Sequence, residues 1–114
     1  MKELWKVVPG HPEYEASTGG RVRRLASRKR STVGMILPTW FVGKPTYPYP
    51  SVALGDHGSV ALHRIILTTF RGPRQKNEQA RHLNGNRFDN RLCNLRWGTR
   101  KQNTQDRIKH GGYK

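Results

Sequence analysis

The chain has 114 residues, about the size of one domain, and it is strongly basic. Its 22 Lys and Arg residues against 7 Asp and Glu residues give a formal net charge of +15, which favours a polyanion such as nucleic acid as the partner. The lone Cys93, which we expect to be buried, excludes a disulfide within the chain and a Cys/His zinc cluster. No apolar run approaches the roughly 20 residues of a membrane span, and no signal-peptide pattern opens the chain. We therefore expect a cytoplasmic protein without membrane contact.

The first 25 residues have the pattern of short strands between turns. Residues 4–8 are predicted to form a strand, and the segment PGHPEYEAS after it is punctuated by two prolines and a glycine. Gly19 and Gly20 then indicate a tight turn. In a strand over 21–25 the alternation places Val22 on one face and its basic neighbours on the other.

The middle of the chain combines a basic loop, proline-rich β structure and a hairpin. Residues 26–34 are predicted to be the loop, and four prolines in 35–54 confine strands there to edges. Two β-prone runs, 51–54 and 59–62, flank a turn and indicate the hairpin. The apolar spacing of LHRIILTTF predicts a helix over 62–70, which Gly72 and Pro73 end.

From residue 80 onward the pattern predicts strand, loop, strand and helix. Strand-like ends lie near 80–83 and 95–98, and Asn and Asp residues fill the loop between them, where their side chains bond to local backbone. Thr99 is predicted to cap a helix of about 100–109.

Three residues of this frame, His82, Asn94 and Asn103, have the side chains that phosphodiester hydrolysis requires. A neutral imidazole can accept a proton from water near neutral pH. An amide oxygen suits a hard cation such as Mg²⁺, and an amide can also fix a histidine ring. As an isolated residue His82 could equally be an exposed loop histidine, and Asn103 a surface residue of a polar helix.

The segment RHLNGNRFDNRLCNLRWGTRKQN resembles the HNH motif of phage and intron homing endonucleases. The matching residues are His82, Gly85, Asn86, Asn90, Asn94, Leu95, Trp97, Thr99 and Asn103. Residues 5–25 are similar to the DNA-contacting module that often accompanies such nucleases, through Trp5, Pro9-Gly10, Tyr14 and Gly20-Arg21-Val22-Arg23.

The resemblance implies roles for individual residues. His82 would activate the attacking water, Asn94 would hold the loop and orient His82, and Asn103 would bind Mg²⁺ or Mn²⁺, with no zinc. The family usually has Asp or His as a metal ligand where this chain has Arg81, which cannot ligate a cation. We interpret Arg81 as a catalytic group that contacts the phosphate and stabilises developing charge. The predicted DNA-contacting residues are Arg21, Arg23, Arg24, Arg28, Lys29, Arg30 and Arg64.

We therefore predict an α+β fold, with a β-rich DNA-binding module over 1–50 and a ββα-metal nuclease core over 51–114, packed as one compact unit. The predicted activity is metal-dependent hydrolysis of double-stranded DNA by a monomer or homodimer, of a phage-encoded homing type. Two alternatives remain open: a DNA-binding protein with a weak or inactive HNH core, and an RNA-binding accessory protein.

Overall fold

The computed structural model contains eight strands and two helices in the residues that it describes, which are 3–25, 36–42, 49–54 and 58–109. In chain order these elements are β1 (Trp5–Val8), β2 (His11–Ser17), β3 (Val22–Arg24), β4 (Trp40–Val42), β5 (Tyr49–Ala53), β6 (Ser59–Ala61), α1 (Leu62–Arg71), β7 (Glu78–His82), β8 (Leu95–Thr99) and α2 (Arg100–Lys109).

The N-terminal sheet has the order β1-β2-β3, and both pairs are antiparallel. The prolines of PGHPEYEAS do not prevent a strand, because the β1–β2 register shifts between Val7 and Val8 and Pro12 lies at that irregularity. A β-bulge is one of the places where a sheet tolerates proline. Val22 is buried and Arg21 is exposed, in agreement with the predicted alternation.

A second antiparallel sheet has the order β4-β5-β6. Its β5–β6 hairpin confirms the hairpin predicted around 51–62, with Val52 opposite Val60. The predicted turn residues 55–57 and the whole of the predicted basic loop 26–34 lie outside the described residues.

Helix α1 lies at the centre of the hydrophobic core. Its apolar residues recur on one face, so that Leu62, Ile65, Ile66 and Leu67 are all buried. The helix contacts strands of both three-stranded sheets and also the β7–β8 pair. Gly72 follows it with φ of 83°, a backbone region that favours glycine, and this is the stop that the sequence predicts.

The C-terminal unit is an antiparallel β7–β8 pair followed by α2, which packs against both strands. The Thr99 hydroxyl accepts a hydrogen bond from the Gln102 N–H (3.2 Å), and the Gln102 side chain accepts one from the Thr99 N–H (2.8 Å). This reciprocal pair is a capping box, so the start of α2 is fixed locally. The strand, loop, strand and helix predicted from residue 80 are confirmed.

The α+β class is confirmed, with strands dominating the N-terminal part and both described helices in the C-terminal part. The predicted division at residue 50 falls within β5, and dividing the chain into two units stays a prediction.

Within the described ranges, neither helix has the length and apolar character that a membrane span needs. Cys93 is exposed, which corrects the expectation that it is buried, because it sits in the short 3₁₀ turn before β8.

Candidate active site

His82 lies at the end of β7, where the chain leaves the β7–β8 ladder opposite Leu95. Its Nε2 is 2.8 Å from Oδ1 of Asn90, a residue only 5% exposed. An amide oxygen can only accept a hydrogen bond, so Nε2–H is the donor in this pair. The lone pair of the neutral ring is therefore on Nδ1, which is the atom that can accept a proton.

The surroundings of His82 keep its ring neutral. Burial is the largest cause and lowers the pKa of His82, and the cation of Arg87 adds to that effect. The hydrogen bond to Asn90 and the charge of Asp89 act in the opposite direction on the same pKa without reversing it. A neutral imidazole near pH 7 is the protonation state that a general base requires.

A second imidazole, that of His63 on α1, packs edge-on against the His82 ring. The ring centroids are 5.4 Å apart and the planes are at 83°. Burial lowers the pKa of His63 to about 4, with smaller contributions from His82 and Arg64. His63 Nδ1 is buried and makes no hydrogen bond among the described residues. This side of His82 is therefore neutral and poorly hydrated.

The Asn94 side chain holds the loop between β7 and β8. Its Oδ1 accepts a hydrogen bond from the Asn84 N–H (2.9 Å), and its Nδ2 donates to Asn84 Oδ1 and to the Asp89 carbonyl (both 2.9 Å). Asn94 is 5% exposed. The predicted orientation of the His82 ring by Asn94 is not what the structure has, because the amide that bonds the ring belongs to Asn90.

The one carboxylate in this loop, Asp89, is engaged by neighbours other than His82. Arg91 donates to both of its oxygens at 2.8 Å, and Asn84 Nδ2 donates to Oδ2 at 2.9 Å. These bonds lower the pKa of Asp89 to about 2, so it is ionised at neutral pH. Arg91 compensates that charge locally, which limits its effect on the imidazole.

Asn103 lies near the start of α2 and faces β7. Its Nδ2 donates to Gln79 Oε1 at 3.0 Å, so the amide is oriented by its nitrogen, and within the described part of the chain its Oδ1 has no hydrogen-bond partner. An amide oxygen is a ligand of Mg²⁺, an ion that keeps several of its waters in proteins. The described ranges contain no cluster of three His, Cys, Asp or Glu side chains. Asn103 Oδ1 is therefore a single oxygen donor of the kind that a hydrated divalent cation accepts.

Arg81 lies on the same face of the hairpin as Gln79, the residue that bonds Asn103. Its side chain passes over Gly98, where a Cβ would collide with Arg81 Cδ and come within 2.9 Å of Gln102 Oε1. Strand alternation puts Gln79 and Arg81 on the α2 side of β7, while His82 contacts α1 through His63. Among the described residues no hydrogen bond joins His82 to Asn103.

The predicted DNA-contacting residues are distributed unevenly. Arg21 is ion-paired with Glu3, and Arg23 with Glu15 (2.7 Å). Arg24 lies over the Tyr14 ring at 5.6 Å, and Arg64 is exposed on α1. Arg28, Lys29 and Arg30 lie outside the described residues.

Comparisons with known proteins agree with this ββα arrangement. Residues 60–105 match the family model described as HNH endonuclease. An uncharacterized HNH endonuclease of Acanthamoeba polyphaga mimivirus is 28% identical over 114 residues, covering 93% of this chain and 26% of the relative. The solved structure titled "DNA binding and cleavage by the HNH homing endonuclease I-HmuI" is similar with a TM-score of 0.75 and 25% identity, over 97% of this chain and 61% of the other.

Residues 60–105 are therefore similar to the HNH endonuclease family. The structural similarity to the homing endonuclease extends beyond these residues into the N-terminal sheet. The chain spans about a quarter of the length of its viral relative and under two thirds of the homing endonuclease chain.

Three residues of the site were not assigned a role from the sequence. Asn90 was one position of the HNH pattern without a function, and its spacing from His82 across a turn was the available signal. Gln79, which orients Asn103, and His63, which packs on His82, act through contacts between separate elements. Nothing in a single sequence indicates such contacts.

Proposed function

We propose that this protein is a metal-dependent DNA endonuclease in which His82 is the general base. The observation that carries the proposal is the neutral His82 ring, held at Nε2 by Asn90 so that Nδ1 keeps its lone pair. This side chain stands at the end of β7 in a strongly basic chain, and the family model covers the segment. Nδ1 takes the proton of a water as its oxygen attacks the scissile phosphorus, and the bridging oxygen leaves.

The remaining groups act on the phosphate. Asn103 and phosphate oxygens would hold the divalent ion, which when bound supplies Lewis-acid stabilisation of the leaving oxygen. Gln79 accepts a hydrogen bond from Asn103 Nδ2, which leaves the amide oxygen for the ion. Arg81 contacts a non-bridging phosphate oxygen and offsets the charge that develops there.

The test is a plasmid-nicking assay with Mg²⁺ or Mn²⁺ and with EDTA as the control for metal. We expect His82→Ala to slow nicking by roughly 100- to 10,000-fold, the range for loss of a general base. Asn103→Ala should raise the metal concentration for half-maximal rate by roughly 10-fold or more. Thr104→Ala is the matched control, because Thr104 is the exposed neighbour of Asn103 on α2.

The outcomes separate cleavage from binding. His82→Ala should bind duplex DNA as the parent protein does, since it removes no positive charge at neutral pH. Nicking that survives in His82→Ala at the parent rate contradicts the assignment of the base. Structured RNA that outcompetes duplex DNA at fixed salt contradicts the assignment of the substrate.

A second candidate function is a DNA-binding protein with a weak or inactive HNH core. The observation in its favour is Arg81, which stands where the family usually has a metal ligand. The described residues provide Asn103 but no cluster of three His, Cys, Asp or Glu side chains. Arg81→Asp would place a carboxylate on the side of β7 that Asn103 faces. If the core is inactive for lack of a ligand, this variant nicks at lower Mg²⁺ concentration than the parent. If Arg81 stabilises the phosphate, the variant is slower.

The finer features follow from the resemblance to homing endonucleases. One HNH centre has one base and one metal ion, so each event cuts one strand, and a double-strand break needs a homodimer or two visits. A phage origin, a homing role and a cytoplasmic location are part of the same proposal.

A further inference from the structure

The turn between β2 and β3 contacts the loop that carries Asn90. The Leu92 N–H donates to the Thr18 carbonyl at 2.9 Å. Gly20 approaches the loop more closely still: a Cβ built on Gly20 would be 2.7 Å from the Asn90 carbonyl oxygen and 3.2 Å from the Arg91 nitrogen. These are backbone atoms, which cannot turn aside as the end of a flexible side chain can. Gly20 also has φ of 85°, where other residues are strained.

Asn90 thus contacts both parts of the molecule. Its backbone carbonyl lies against Gly20, and its side-chain oxygen accepts the hydrogen bond from His82 Nε2. The residue is buried, and its Nδ2 lies 3.4 Å from the Arg87 carbonyl, to which it donates. A displacement of its backbone is therefore transmitted to its side chain and to the ring.

The turn itself is held firmly. Ser17, with no exposed surface, donates through its hydroxyl to Glu3 (2.6 Å) and accepts from the Arg21 N–H (3.0 Å). The Gly20 N–H donates to the Ser17 carbonyl at 3.1 Å. The side facing Asn90 is consequently a fixed surface built by the N-terminal sheet.

We propose that the β2–β3 turn is a positioning element of the active site, in which Gly20 sets the place of Asn90 and, through it, the orientation of the His82 ring. The catalytic effect of this positioning rests on the proposed function. It makes the N-terminal sheet part of the catalytic machinery as well as a binding surface, so DNA held by that sheet is coupled to the base through the backbone contacts of this turn with the loop.

The test compares Gly20→Ala with Gly10→Ala. Both glycines have positive φ, of 85° and 78°, but a Cβ at Gly10 meets nothing within 4 Å. The two variants therefore carry similar backbone strain and differ in the contact with Asn90.

The first readout is the imidazole Nε2–H resonance of His82 by NMR in the full chain without metal or DNA. We expect Gly20→Ala to shift or lose this resonance and Gly10→Ala to keep it.

The second readout is single-turnover nicking. A misplaced base lowers the single-turnover rate constant by roughly 10- to 100-fold in Gly20→Ala, while the affinity for duplex DNA stays within about 3-fold. A Gly20→Ala protein with an unchanged resonance overturns the positioning role, whether or not the parent cleaves DNA. A parent that does not nick, with a resonance lost in Gly20→Ala, refutes the proposed function and leaves the positioning contact supported.

If Gly20→Ala does not fold, a second variant that does not crowd the loop tests the proposal. Ser17→Ala removes the buried hydroxyl that fixes the turn and adds no atoms. We expect it to alter the His82 resonance in the same sense but less than Gly20→Ala. An unaltered resonance in a folded Ser17→Ala protein overturns the proposal.

Discussion

The N-terminal sheet (β1–β3) and the loop between β7 and β8 are each stabilised by a different kind of interaction. In the sheet, Arg21 and Arg23 flank the Trp5 ring, at 5.5 and 4.1 Å from its centroid, and pair with the carboxylates of Glu3 and Glu15. In the loop, the side-chain bonds that fix its shape come mainly from asparagine amides.

The difference has a consequence for function. Carboxylates suit a sheet whose arginines would otherwise repel each other in a chain of net charge +15. Under the proposed function the loop holds a neutral base beside a phosphate, and neutral amides suit that task. An uncompensated carboxylate there would raise the pKa of His82 and repel the phosphate. This contrast predicts that substitutions in the loop have larger effects than substitutions in the sheet.

Asn94→Ala should be the most destabilising change in the loop. It removes one acceptor and two donated bonds from a buried site, leaving Asn84 and Asp89 backbone groups unsatisfied. We expect the free energy of unfolding to fall by about 3 kcal/mol in urea titrations. Asn86→Ala, an exposed loop residue that accepts from the Phe88 N–H, is the control and should cost under about 1 kcal/mol. Equal losses in the two variants would contradict the amide frame.

Acidification should destabilise the fold through His63. Burial lowers the pKa of His63 to about 4 in the folded state, from 6.5 when unfolded, so the unfolded chain binds more protons between those values. Stability from this group is complete above pH 6.5 and is lost as the pH falls to 4, by on the order of 3 kcal/mol. The lowered pKa of His82 acts in the same direction. His63→Phe keeps an aromatic ring and should flatten the dependence measured by urea unfolding from pH 7 to pH 4.5; parallel curves would count against a neutral His63.

Asn90→Asp exchanges an amide for a carboxylate at the His82 ring. The pair becomes charge-assisted, which raises the pKa of His82 and moves the acid limb of the kcat profile to higher pH by about 1 unit. Asn90→Ala is the companion variant: it leaves the ring unoriented and should lower kcat by roughly 10-fold without moving the limb to higher pH. A profile for Asn90→Asp that coincides with the parent's would show that the amide does not control the base.

Neutralising the two carboxylates of the sheet should have the smallest effect. The double variant Glu3→Gln/Glu15→Gln removes both ion pairs. Loss of the partly exposed Arg23–Glu15 pair should lower the free energy of unfolding by under about 1 kcal/mol, and this loss should be smaller in high salt. The released Arg21 and Arg23 become available to phosphates, so duplex DNA should bind a few-fold tighter with a steeper salt dependence, measured by fluorescence anisotropy. An unchanged salt slope would indicate that the predicted phosphate contacts of these two arginines are not made.

The sequence predicts well those structural features that depend on residues close together in the chain. The α1 helix follows from its apolar spacing and Gly72, and the start of α2 follows from Thr99. The strand β2 was obscured because Pro12 is usually a strand breaker, and only the bulge opposite it makes the strand possible.

The same limit applies to the candidate active site. His82 and Asn103 were selected as candidates by their residue types and by family resemblance. The ring partner Asn90, the Gln79 support and the Gly20 contact depend on how the hairpin, α2 and the N-terminal sheet meet. Since Asn90 and Asn94 are chemically identical and four positions apart in one loop, only the turn geometry decides which of them reaches the imidazole.

The position of α1 bears on how the protein loses its structure. This helix contacts strands of all three sheets, and its second residue, His63, touches the His82 ring. Removing the helix would leave each sheet with an apolar face in water. Melting is therefore expected to be a single cooperative event, with cleavage competence and secondary structure disappearing at one temperature, and a protease cut within α1 should release no stable fragment from either end.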